Sequence, residues 1–152
     1  MDTVRAAASE LDSAARVRFE TKIALVLRAD LPVWQKVNMA AFLASGIAAT
    51  MESAVGEPYE DAAGARYLQM FRQPVLVFAA TAEQLRRAYE RARSRELPIA
   101  IFTEDLFATG HDEANRAAVR AVSGADLRLA GLALRAGRKA VDAVVKGLSL
   151  HD

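Results

Sequence analysis

The sequence predicts an α/β fold: a three-layer sandwich around a mixed, mostly parallel four-stranded sheet. Three observations carry this. Four short apolar runs, Lys22–Arg28, Val75–Ala79, Ile99–Phe102 and Leu127–Leu134, have no polar alternation, as expected of strands covered on both faces. Helical periodicity follows each run, directly or after a loop. Strands that alternate with helices imply crossover connections, which put helices on both sides of a sheet.

Residues 3 to 16 place Val4, Ala7, Ala8, Leu11, Ala14 and Ala15 at helical spacing. Residues 1–20 therefore read as an N-terminal helical extension, and residues 21–152 as a single α/β domain. After the first strand, Asp30, Leu31 and Pro32 break the run and open a helix from Val33 to Met51. That helix is apolar nearly all round, through Val37, Met39, Phe42, Leu43, Ile47 and Met51. Such a helix needs cover on two sides. The sheet supplies one; a second copy of the chain or the N-terminal helix supplies the other, so a homodimer is expected.

Turn signals at Glu57-Pro58 and Ala62-Ala63-Gly64 predict a short hairpin before the second strand. Thr81 with Gln84 three residues on forms a capping-box pattern. The helix it opens has one apolar stripe, Leu85, Ala88, Tyr89 and Ala92. A polar loop over residues 103–113 leads to a helix ending near Val122. Gly131 inside the fourth strand marks a bulge or a close backbone approach. The last helix is expected over Ala140–Leu148.

The chain has 152 residues, a length that fits one domain. Lys plus Arg is 20 and Asp plus Glu is 19, a net charge of +1, so no global attraction to nucleic acid or anionic lipid is expected. With no cysteine, disulfides, thiolate catalysis and zinc–cysteine sites are excluded. The N-terminus lacks the basic-then-apolar order of a signal peptide. The longest uncharged apolar stretch, residues 37–51, is shorter than the about 20 residues that span a bilayer. A cytoplasmic protein away from the membrane is the expectation.

Ligands of open α/β sheets bind beyond the carboxyl ends of the strands. Two segments are expected to meet there, residues 28–38 and 103–115. They offer Lys36 and Asp105 as catalytic candidates, and Asp30, Trp34, Gln35, Asn38, Thr109 and His111 as ligand-binding candidates. Lys36 would bind an anion or polarise a carbonyl oxygen; the plainer reading is a solvated lysine in a first helical turn. Asp105 would orient Lys36 or act as a base; the plainer reading is a carboxylate fixing its loop. Helix N-termini nearby favour a carbonyl, carboxylate or phosphate ligand. His111, Asp112 and Glu113 are adjacent, but with only two histidines in the chain no metal site is expected, and His111 reads as a loop residue before a helix. No cofactor motif is present: neither a Gly-rich phosphate loop nor a GxSxG elbow. The expected function is a small ligand-binding or hydrolase-like domain with an unknown small molecule as partner; a non-catalytic homodimer acting through protein contacts is an alternative. The arginines of the second helix, Arg86, Arg87, Arg91, Arg93 and Arg95, are interleaved with Glu83, Glu90 and Glu96 and read as a solvated face.

Three stretches carry a family resemblance. KIALVLRADLPVWQKVNMAAFLASGIA is similar to the opening of the type II (archaeal and eukaryotic) peptidyl-tRNA hydrolases, QPVLVFAATAEQLRRAYERARSRELPIAIFTEDLFATG to their middle third, and LRLAGLALRAGRKAVDAVVKGLSL to their last strand and helix. The whole chain, over roughly residues 20 to 150, more closely resembles a bacterial family of unknown function on that fold, through Asn38 before Ala40-Ala41, GEPYEDAAGARY and QPVLVF. The resemblance implies a peptidyl-tRNA hydrolase II-like sandwich, often dimeric. It makes hydrolysis of peptidyl-tRNA an alternative activity and tRNA an alternative, less favoured partner. The hydrolase pattern is only half kept. Lys36 stands for one of two lysines, and Asp105 and Thr109 match an Asp-x-Gly-x-Thr run. Phe107 replaces its glycine, and Phe42 replaces the glutamine after the alanine pair.

Overall fold

A computed structural model describes residues 17–152. The helix expected over residues 3 to 16 lies outside the described residues. Along the chain run β1 (Thr21–Arg28), α1 (Val33–Thr50), the hairpin strands β2 (Tyr59–Glu60) and β3 (Arg66–Tyr67), β4 (Val75–Ala80) and α2 (Ala82–Ser94). There follow β5 (Ile99–Thr103), a 3-10 turn (Glu104–Ala108), α3 (Asp112–Arg120), a second 3-10 turn (Gly124–Asp126), β6 (Leu129–Gly137), α4 (Arg138–Val144) and β7 (Ser149–Leu150).

The α/β class and the helix-on-both-faces arrangement hold; the sheet differs from expectation in two ways. Among the described residues it has five strands, in the order β5-β6-β1-β4-β7, and it is mixed rather than mostly parallel. Only β1 and β4 pair in parallel; β1–β6, β5–β6 and β4–β7 are antiparallel. The apolar run of β6 is buried whichever way it is traversed, so its composition carries no direction. Thr103 ends β5 opposite Leu129, where β6 begins. The link carrying α3 thus stays at the carboxyl end of β1, β4 and β5 instead of crossing back, and α3 sits on that rim. The strand β7 was not foreseen. Helix α4 starts at Arg138 and stops at Val144, and Gly147, at φ +85°, turns the chain so that Ser149 and Leu150 pair with Ala79 and Phe78. Two residues, one of them polar, leave no strand pattern to read.

Alternation along β1 builds both halves of the core. Ile23, Leu25 and Leu27 face α1, where Met39, Leu43 and Ile47 are buried at i, i+4 and i+8. Ala24 and Val26 face the other way, onto Leu85, Ala88 and Ala92 of α2 and Val141 and Val144 of α4. The capping box forms as the sequence suggests: the Gln84 N–H donates to the Thr81 hydroxyl (3.2 Å), and the Thr81 N–H donates to Gln84 Oε1 (2.9 Å). The hairpin is closed by Asp61, which accepts from the Ala63 and Ala65 N–H groups and from the Tyr67 hydroxyl. Among the described residues, no helix is long and apolar enough to cross a membrane.

Gly131 answers to both readings made for it. The β5–β6 register shifts between Phe102, opposite Gly131, and Thr103, opposite Leu129, leaving Ala130 as the extra residue of a bulge. At the same point α1 presses on the strand. A Cβ on Gly131 would lie 2.7 Å from Met39 Sδ, 3.0 Å from the Val26 carbonyl oxygen and 3.1 Å from Leu43 Cδ1. Gly131→Val is therefore expected to destabilise the protein by roughly 1–3 kcal/mol through overpacking. Gly137→Ala, with none of the described residues other than its chain neighbours within 4 Å of the added carbon, should stay within about 0.5 kcal/mol. Urea unfolding of the two variants checks this; equal midpoints would mean the approach is slack.

Candidate functional site

The two loops named from the sequence do meet, and charge ties them. Arg28, at the end of β1, forks onto Asp30, with Nε–Oδ1 3.0 Å and Nη2–Oδ2 2.8 Å. Its remaining nitrogen donates to Glu104 in the turn after β5. Arg128, just before β6, reaches the other oxygen of Glu104 (3.4 Å) and pairs with Asp105. Asp30, Arg28, Glu104, Arg128 and Asp105 thus form one alternating ladder. The bidentate bond from Arg28 holds the Asp30 carboxyl below the usual carboxylate range, and the same bond, helped by Glu104, raises the Arg28 pKa further. The two strands feeding these loops point the same way but are not neighbours: β6 lies between them.

Beside the ladder, α1, the turn after β5 and the start of α3 line an open cavity of about 330 Å³, near the lower end of small-molecule sites. Its walls are aromatic. Trp34 meets Phe107 edge-on at 6.0 Å between ring centroids, Phe107 lies 4.8 Å from Phe102, and Phe102 5.8 Å from Phe42. Leu106 joins them, and Asn38, Thr109, Gly110, His111, Asp112 and Asn115 form the polar rim. Among the described residues, no lysine or arginine lines it. His111 is the N-cap of α3, its Nδ1 accepting from the Ala114 N–H (3.2 Å). In that state the imidazole proton sits on Nε2 and is available to donate. The Thr109 hydroxyl is shared between the Leu106 carbonyl oxygen (2.9 Å) and the Asn115 side-chain oxygen. The Asn115 amide carries two N–H groups, so at least one is left for a ligand. Asp112 and Glu113 occupy the first turn of α3 and offset the positive end of its dipole. These carboxylates weaken the attraction for an anion that the helix N-terminus alone would have.

Of the residues singled out from the sequence, Trp34, Asn38, Thr109 and His111 come together on this cavity. Asp30 and Asp105 lie on the ladder. Lys36 points elsewhere, to the Ala29 carbonyl oxygen (3.4 Å) and His151 Nε2 (3.2 Å) near β7. Gln35 closes the first turn of α1 through its N–H on the Pro32 carbonyl oxygen (3.1 Å) and does not line the cavity. The separation of Lys36 from Asn38 follows from helix geometry: two residues apart is roughly 200° around the axis. Phe42, Phe102, Leu106, Phe107, Gly110 and Asn115 were not foreseen. Phe42 alone left a readable signal, since Trp34, Asn38 and Phe42 repeat at i, i+4 and i+8.

A family described as protein of unknown function (DUF2000) matches residues 21–152. A solved structure, that of the protein of unknown function Atu0240 from Agrobacterium tumefaciens strain C58, superposes with a TM-score of 0.86 at 46% sequence identity. It covers 89% of this chain and 100% of its own. Among curated proteins, none matches this chain.

The ladder carries a pH dependence whose sign is fixed. The Asp30 pKa is depressed on folding, so its pairing contributes stability that is present above the ordinary carboxylate value and is lost as pH falls through the depressed one. An NMR titration of the Asp30 carboxyl should give a midpoint below about 3.9, returning to that value in Arg28→Ala. A midpoint that Arg28→Ala leaves unmoved would detach Asp30 from the ladder.

Proposed function

We propose that this chain, which belongs to the family described as protein of unknown function (DUF2000), binds an uncharged, flat ring compound that carries a carbonyl or ring-nitrogen acceptor. One observation supports this above the others: a cavity of about 330 Å³ with four aromatic walls and a rim of amide, hydroxyl and imidazole groups beside the Asp112 carboxylate, which Arg116 pairs, and with no lysine or arginine lining it among the described residues. Aromatic faces and edges gain most from a planar apolar body. His111 Nε2–H and the Asn115 amide are placed to donate to an acceptor on its edge, and Asn38 can donate or accept. A longer ligand could continue into an adjoining groove along β5, which shares Phe42, Phe102 and Asn115 with the cavity.

The finer likeness to the type II peptidyl-tRNA hydrolases remains part of this reading, with a qualification from the residues. Phe42 and Phe107, the two positions that depart from the hydrolase pattern, are both cavity walls. The hydrolase alternative would rest on Lys36 and Asp105, which here engage His151 and Arg128. A binding role in the cytoplasm accommodates these substitutions better than loss of the pattern without a gain.

Trp34 is the chain's one tryptophan and a wall of the cavity, so its emission reports occupancy. In a panel of bicyclic heteroaromatic compounds, neutral carbonyl-bearing members should shift Trp34 fluorescence saturably. Their carboxylate counterparts should bind at least about tenfold more weakly, and Asn115→Ala should weaken the neutral members by a similar factor. A panel with no saturable member, beside cleavage of peptidyl-tRNA that Lys36→Ala abolishes, would replace this reading by the hydrolase one.

A second reading, self-association, is favoured by the outer face of α1. Val33 is 72% exposed and Val37 62%, although both are apolar and the helix's only charged residue is Lys36. Exposed apolar stripes of this kind mark contact surfaces. Sedimentation of the wild type should give a dimer that Val37→Asp converts to monomer at equal concentration; a wild-type monomer at high micromolar concentration ends this reading.

A further inference from the structure

On the α2/α4 side of the sheet, apart from the aromatic cavity, four polar side chains converge on a recess of about 210 Å³: Gln84, Arg87, Arg91 and Lys146. The three from α2 are spaced i, i+3 and i+7 and so share one stripe of the helix. Lys146 is set against them by the turn at Gly147, which carries the chain from α4 into β7. Among the described residues, no carboxylate lines the recess.

Each group is held or left with donors to spare. Gln84 Oε1 is engaged by the Thr81 N–H, so its amide nitrogen is left for another acceptor. Arg91 Nη1 is anchored on the Lys146 carbonyl oxygen (3.0 Å) and lies 3.5 Å from that of Val144, which fixes the guanidinium while its other nitrogens keep their protons. Among the described residues, none of Arg87, Arg91 and Lys146 is in an ion pair, although Glu83 stands one helical turn before Arg87. Three cations gathered with no acidic partner among the described residues, in a chain whose net charge is only +1, favour an anion between them. Guanidinium forks match the oxygen spacing of a phosphate, and an ammonium adds a point charge.

We infer that this recess is a binding site for a phosphate group, carried either by a small phosphomonoester or free phosphate in water, or by a lipid headgroup. Its chemistry is separate from that of the aromatic cavity, and it stands whether or not that cavity binds a ring compound.

The test uses the full chain and two probes. Inorganic phosphate is titrated against chloride at matched ionic strength, with amide NMR shifts as the readout. Vesicles of phosphatidylcholine, with and without phosphatidic acid, are sedimented with the protein. Phosphate should saturate, with shifts centred on Arg87 and Gly147. Arg87→Ala and Lys146→Ala, both at exposed positions, should each lower affinity roughly tenfold. Arg93→Ala, an exposed cation outside the recess, should leave it unchanged. Saturable phosphate binding without vesicle binding assigns a soluble source. Sedimentation with phosphatidic acid, lost in the same two variants, assigns a lipid. The inference is overturned if phosphate acts no differently from chloride and vesicles are ignored, or if either response survives both recess variants.

Discussion

The contact on which the rest depends is the seating of α1 on β6. Met39 and Leu43 lie over Gly131, where no side chain stands between helix and strand. That close approach fixes the rotation of α1 about its own axis. Once Met39, Leu43 and Ile47 point inward, the stripe of Trp34, Asn38 and Phe42 must face the rim above β5, and Lys36 must face β7. The location of the cavity and the absence of a lysine from it are consequences of a glycine in another element. The bulge at Ala130 belongs to the same device, because it shifts the β5–β6 register where Phe102 joins the aromatic cluster.

Charge is sorted as strictly as apolar surface. Among the described residues of a chain nearly neutral overall there is a compensated ladder, an aromatic cavity lined by no lysine or arginine, and a cluster of cations with no acidic partner. The ladder has a mechanical part to play. Arg28 belongs to β1, Glu104 to the turn after β5, and Arg128 to the lead into β6, so three chain segments are joined by shared ion pairs beside the aromatic walls. Such pairs gain little individually at the surface, but a network whose members hold one another's geometry limits how far the turn carrying Leu106 and Phe107 can drift. Arg86 has a comparable role on the other side, donating to the Gly124 and Leu127 carbonyl oxygens. An arginine-rich helix face is thus divided between structural ties and the recess beside α4.

Sequence alone determined the α/β class, four of the five strands of the main sheet, the capping box at Thr81, the special status of Gly131 and the two segments that form the rim, because these are local matters of periodicity, capping and backbone freedom. Even the family was legible in outline. Tertiary structure decided the direction of β6, which an evenly apolar strand does not encode. It decided which member of each polar segment faces the cavity, separating Asn38 from Lys36 and Thr109 from Asp105. It also brought Phe42, from a helix far earlier in the chain, against Phe102 and the neighbouring Phe107. The physical reason is common to all three: the rotation of a helix and the neighbours of a strand are set by contacts between elements, and no single segment contains both halves of such a contact.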